Sequence, residues 1–164
     1  MTNPFPPVRR IVTGHDAEGQ AIFVSDALFP AEPIAAGGAD FALLWTTATV
    51  PADNNDDTDG RERDAGLTIE NGSVFRVVDF VPGGASPFHR TNSIDYGIVI
   101  AGEVELELDD GCIRVAGPNT VIIQRGTNHK WRNASETEYC RVLFVLIEAP
   151  AYSQDGVPLM EIKP

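Results

Sequence analysis

Residue types that usually announce chemistry are scarce in this chain. Its 164 residues include two cysteines, Cys112 and Cys140, and three histidines, His15, His89 and His129. Two cysteines without a C-x-x-C spacing exclude a disulfide framework and a cysteine-built zinc site. Both lie in strand patterns and read as small buried apolar residues. Positive charge is also short: 12 basic side chains face 24 acidic ones, a formal net charge of -12. That balance argues against nucleic acid or an anionic membrane as a partner, because both need a basic face. No apolar run approaches the length of a bilayer span, and residues 142–147 are among the longest. The opening MTNPFPPVRR has no apolar core of an export signal, so a reduced, cytoplasmic setting is expected. There is no G-x-S-x-G elbow, no phosphate loop and no dinucleotide fingerprint. Long helical patterns are absent as well.

What is present is a succession of short strand patterns. Residues 20–25, 41–50, 67–70, 73–81, 96–101, 112–115, 120–124, 130–133 and 139–148 read as strands. Asn71-Gly72 favours positive φ at both turn positions and joins two of them as a hairpin. Val104, Leu106 and Leu108 alternate with Glu103, Glu105 and Glu107, which puts the apolar set on one face and the carboxylates in water. Many short strands between glycine, asparagine and proline turns indicate an all-β sandwich or barrel. Three parts are expected: an irregular N-terminal arm over 1–19, a barrel over 20–150 and a tail over 151–164. Residues 51–66, PADNNDDTDGRERDAG, open like a calcium loop. They have Gly66 where the bidentate glutamate belongs, and they read as a solvated, mobile loop.

Two segments concentrate polar groups of chemical use. The first holds His89, Thr91, Asp95 and Gly102; the second holds Gln124, Gly126, His129 and Asn133. In these residues the chain resembles the cupin family. His89, Thr91, Asp95 and Gly102 keep the spacing of its first motif, with threonine in place of a second histidine and aspartate in place of glutamate. Gln124, Gly126, His129 and Asn133 keep the spacing of its second motif, with Gln124 in place of a proline. The resemblance covers roughly residues 65–148. It implies an all-β jelly-roll barrel (a double-stranded β-helix) with both motif histidines pointing into a cup, and a homodimer.

The departures bear on cofactor and function. His89, Asp95 and His129 remain as a two-imidazole, one-carboxylate set, which suits Fe(II) or Zn(II) with open positions for substrate. Two barrel-facing histidines in a metal-free polar pocket are the alternative. His15 reads as a surface residue in a loop before the first strand; it becomes a third ligand if the arm folds over the barrel mouth. Tyr96 is the candidate proton donor. Thr91, Gln124, Trp131 and Arg90 are the candidate substrate contacts. The leading expectation is a metal-dependent enzyme acting on a small carboxylate- or carbonyl-bearing compound, as a decarboxylase, dehydratase, isomerase or dioxygenase. A metal-free ligand-binding or sensing module is the other reading.

Overall fold

The computed structural model describes residues 2–164. Nearly all regular structure is β, and every strand pairing is antiparallel. The main wall is a six-stranded sheet. Its strands are β3 (Glu32–Pro33), β4 (Ala39–Thr47), β5 (Ser73–Phe80), β6 (Ser93–Ala101), β9 (Val121–Arg125) and β11 (Cys140–Glu148), in the order β3-β4-β5-β11-β6-β9. The facing wall has β7 (Val104–Leu108), β8 (Ile113–Ala116) and β10 (His129–Arg132), in the order β10-β7-β8. Such non-sequential strand order across two packed sheets is a jelly roll. Among the described residues no helix is long and apolar enough to cross a membrane.

Alternation builds the core. Val74, Val78 and Phe80 of β5, Val142, Phe144 and Leu146 of β11, Val99 of β6, Val104 of β7 and Trp131 of β10 are buried in one cluster between the walls. Glu105 and Glu107 lie on the other face of β7, beside Arg132 and Lys130. The turn after β6 needs glycine. Gly102 has φ +71, and a Cβ there would sit 2.5 Å from the Tyr139 carbonyl oxygen.

The N-terminal arm differs from the irregular segment expected. Residues Val8–His15 form β1, paired along its length with β2 (Ala21–Phe29). Pro4, Pro6 and Pro7 end before the β-branched residues that pair. The arm covers the outer face of the main sheet rather than the barrel mouth. There Val8 and Ala31 pack with Ala42, Leu44 and Val77. Asp79 binds Arg141 through two hydrogen bonds of 2.6 and 2.7 Å, and Asn3 donates to both Asp79 and Asp40 at 2.8 Å. Arg141 also donates to the Pro6 carbonyl at 3.0 Å.

Three other expectations change. Residues 67–70 are not a strand, so the Asn71 turn (φ 60) leads into β5 without forming a hairpin. The acidic loop is pinned. Arg10 holds Asp59 through two contacts of 2.6 Å, and Thr46 donates to the Gly60 carbonyl at 2.5 Å. A carboxylate committed to an arginine is not available to calcium. Cys140 is buried as expected, with burial pushing its thiol up to about 12, but Cys112 is exposed beside the Asp110 turn. The tail carries a small hairpin of β12 (Ser153–Gln154) and β13 (Val157–Pro158).

Candidate functional site

The two motif histidines meet through their backbones. His89 and His129 form an antiparallel bridge, each amide donating to the other's carbonyl at 2.9 Å. Directly paired residues on antiparallel strands project side chains to the same face. Their ring centroids are 4.3 Å apart with planes tilted by 49°. Both rings line a cavity of about 310 Å³ between the two walls. Trp131, two residues beyond His129, lines it too. Its ring lies edge-on to His129 at 5.5 Å and to Phe144 at 5.4 Å. Phe41, Val78, Phe80 and Leu146 make most of the remaining wall apolar.

A polar cluster interrupts that wall. Thr91, Asp95, His89 and His129 all face the cavity and are buried. Ser93 Oγ lies 2.6 Å from an Asp95 carboxyl oxygen and 2.8 Å from Thr91 Oγ1, so three short side chains of one segment form a hydroxyl–carboxyl chain. Burial raises the Asp95 carboxyl to about 6, against the lowering effects of the Ser93 hydrogen bond and of Arg76. Such a carboxyl changes protonation close to neutral pH.

Each imidazole has one nitrogen engaged. His89 Nδ1 lies 3.0 Å from the Pro87 carbonyl, which fixes a proton there and leaves Nε2 as the free nitrogen. His129 Nδ1 has two neighbours, the Thr127 carbonyl at 2.9 Å and the Gln124 amide nitrogen at 3.0 Å. Gln124 Oε1 accepts from the Thr127 amide and hydroxyl, so its NH₂ end faces the ring. The carbonyl asks for a proton on Nδ1 and the amide asks for a lone pair. Whatever faces Nε2 selects the tautomer: a donor favours Nδ1–H, an acceptor favours Nε2–H. Burial depresses His129 to about 4, so the ring is neutral at physiological pH.

Other expected site residues lie elsewhere. Gln124 does not line the cavity; it stands behind His129 and positions it. Tyr96 is on the opposite face of β6 from Asp95 and is 40% exposed, so its hydroxyl does not share the cavity. Arg90 is drawn to the tail: its backbone pairs with Ile162 and its guanidinium donates to the Met160 carbonyl at 3.1 Å. His15 ends β1, exposed and paired with Ala21. Asn133 is structural, its amide nitrogen within 2.7–3.2 Å of the Glu138, Phe80 and Val81 carbonyls.

The metal set expected on His89, Asp95 and His129 is not assembled. One ion needs all its donors about 2 Å away. Among the described residues no group of three or more His, Cys, Asp or Glu side chains is placed to hold a metal. Thr91, where a second imidazole would strengthen the set, offers only a hydroxyl, and Asp95 directs an oxygen to Ser93. The donors as placed do not fit a resident three-donor metal centre.

A charged cavity residue escaped the sequence reading. Arg76 of β5 is 6% exposed and lines the same space. Parity could not signal it: Arg76 shares its face with Val74, Val78 and Phe80, but Phe75 and Val77 make the alternate face of the strand equally apolar.

The site's two segments fall within residues 76–146, which match the model of the Cupin domain family. "Phomopsin biosynthesis cluster protein C'" of Diaporthe leptostromiformis is 44% identical over 157 residues, covering 90% of this chain and 82% of that protein. The "Cupin-domain-containing oxidoreductase virC" of Hypocrea virens is 36% identical over 169 residues, covering 98% of this chain and 87% of that protein. The chain belongs to the cupin family. Among solved structures, the Schizosaccharomyces pombe Cnp3 cupin domain aligns with a TM-score of 0.54 at 13% identity, over 85% of this chain and 87% of that one. That last likeness concerns the cupin fold alone.

Proposed function

We propose that this cupin is a small-molecule enzyme of a biosynthetic pathway that moves a proton on a carbonyl-bearing, largely apolar substrate. The observation that carries this reading is the cavity: about 310 Å³, apolar over most of its wall, with His89, Thr91, Asp95 and His129 gathered on one side. Enclosed apolar pockets with a few convergent polar groups are the usual form of a small-molecule site. The relatives named for biosynthesis clusters agree with such a role.

Asp95 is the acid–base group in this proposal. As a carboxylate it accepts a proton from the carbon next to the substrate carbonyl; as the acid it returns one. The neutral His129 ring, protonated on Nε2 while its Nδ1 accepts from the Gln124 amide, donates to the carbonyl oxygen and its developing charge; His89, whose proton lies toward the Pro87 carbonyl, packs beside it. Isomerisation and dehydration are the reaction classes of the sequence reading that such a step serves directly. Relatives are named oxidoreductases. A net oxidation would need a co-reactant; the side chains of this cavity supply the proton transfer.

The test is proton exchange. β-Tetralone, an enolisable bicyclic ketone, is incubated with the protein in deuterated water, and loss of the α-proton signal is followed by NMR. The wild type is expected to accelerate exchange; Asp95→Asn is expected to lose about 100-fold or more of that acceleration. Exchange at the background rate, or acceleration untouched in Asp95→Asn, overturns the proposal.

A further inference from the structure

Arg76 poses a problem that the proton-transfer site leaves unsolved. Its guanidinium lies within the barrel, and its side chain faces the cavity among Phe41, Val78 and Phe144. A buried charge is costly unless an opposite charge or hydrogen bonds compensate it. Its Nη2 donates to the carbonyls of Gly66 and Leu67 at 2.5 and 2.8 Å, which tethers one end of the group. Nε is buried and has no partner among the described residues. Among the described residues no ion pair involves Arg76, whereas Arg9, Arg10, Arg63, Arg132 and Arg141 each form one. Asp95 contributes at longer range to the charge balance, but its Oδ1 is committed to Ser93. The Phe41 ring, 5.3 Å from the guanidinium carbon, covers one face and does not cancel the charge. The group is tethered to backbone through Nη2, desolvated, and part of the wall of a largely apolar cavity.

We infer that Arg76 is the anchor for an anionic oxygen of the ligand, and that the cavity takes an organic acid with an apolar body. The carboxylate meets the Arg76 guanidinium, and the hydrocarbon lies against Phe41, Val78, Phe80 and Trp131. Bound so, the ligand supplies a counter-charge in direct contact with Arg76, which Asp95 gives only at longer range. This inference rests on the reading of the cavity as the ligand site and narrows that ligand to an acid.

Titration calorimetry with two isosteres tests it: naphthoate, which carries the charge, and naphthamide, which does not. The wild type is expected to bind naphthoate about 10-fold or more tightly than naphthamide. Arg76→Gln is expected to weaken naphthoate by about 10- to 100-fold while leaving naphthamide within about twofold, and Arg76→Lys to restore part of the preference. Ala36→Trp, at an exposed position lining the cavity, should block both probes. Equal affinity of the two probes in the wild type, or a preference that persists in Arg76→Gln, overturns the anchor while leaving the cavity as the ligand site. Binding of neither probe, or binding indifferent to Ala36→Trp, overturns both. The wild-type comparison needs no variant, so misfolding of Arg76→Gln leaves the test standing.

Discussion

Replacing Asp95 by asparagine should stabilise the fold while removing its proposed chemistry. Asp95 is 5% exposed, and burial holds its carboxyl at about 6 against an ordinary 3.8. A raised acid binds its proton more firmly in the folded chain than in the unfolded one. Ionised Asp95 therefore destabilises the fold; this burden is absent well below pH 3.8, grows between 3.8 and 6, and is complete above 6. At 1.36 kcal/mol for each pH unit separating the two values, the full burden is about 3 kcal/mol. Asparagine keeps an oxygen to accept the Ser93 hydroxyl and carries no charge. The expected gain from Asp95→Asn is about 3 kcal/mol at pH 7.5 and about 1 kcal/mol at pH 4.5. Urea unfolding of both proteins at the two pH values measures it. No gain at pH 7.5, or a gain that does not shrink at pH 4.5, refutes the reasoning. A gain coupled to lost exchange activity is the trade expected of a functional group held in an unfavourable setting.

His129 should show the opposite pH dependence. Its folded value of about 4 lies below the ordinary 6.5, so its contribution is complete above pH 6.5 and falls away towards pH 4, by about 3 kcal/mol. Asp95 offsets this in the wild type; unfolding free energy measured against pH should therefore be nearly flat for the wild type and steep for Asp95→Asn between pH 6.5 and 4. Removing one partner of the buried Asp79–Arg141 pair strands the other: Asp79→Ala should cost about 3–5 kcal/mol in urea unfolding, and a loss under 1 kcal/mol would contradict the anchoring of the arm. Ellman's reagent should titrate one thiol of the native protein, Cys112, and reach Cys140 only after denaturant is added.

The parts legible in the sequence were those where a local pattern is tied to one physical requirement. Glu103 to Leu108 alternate with period two because one face of β7 meets the core, and the facing residues Val104 and Leu106 are packed there. His89 and His129 could be brought together because each stands in a segment that resembles a cupin motif, and the backbone bridge between them agrees with what that resemblance implies. Asp95 was placed on the site by motif spacing alone; parity could not reach it across the intervening turn. Tyr96 fell on the wrong face for its proposed role because adjacent strand residues point oppositely. What local pattern cannot carry is long-range partnership. Arg10 reaching Asp59, Asn3 reaching Asp40 and Asp79, and Arg90 engaging the tail all join residues tens of positions apart. Those partnerships convert an arm expected to be irregular and a loop expected to be mobile into packed structure. Arg76 was not legible, because Phe75 and Val77 make the alternate face of the same strand as apolar as Val74 and Val78 make its own.

The central claim is that a ligand enters the cavity shared by His89 and His129. The three histidines permit a direct measurement, since His15 is exposed on the outer β1–β2 hairpin and serves as the internal reference. Ring nitrogen-15 NMR of histidine-labelled protein is recorded during a naphthoate titration. The predicted result is a saturable shift of the His89 and His129 ring nitrogens with His15 unchanged. Saturable binding that moves neither buried ring, or that moves His15 alone, would contradict it.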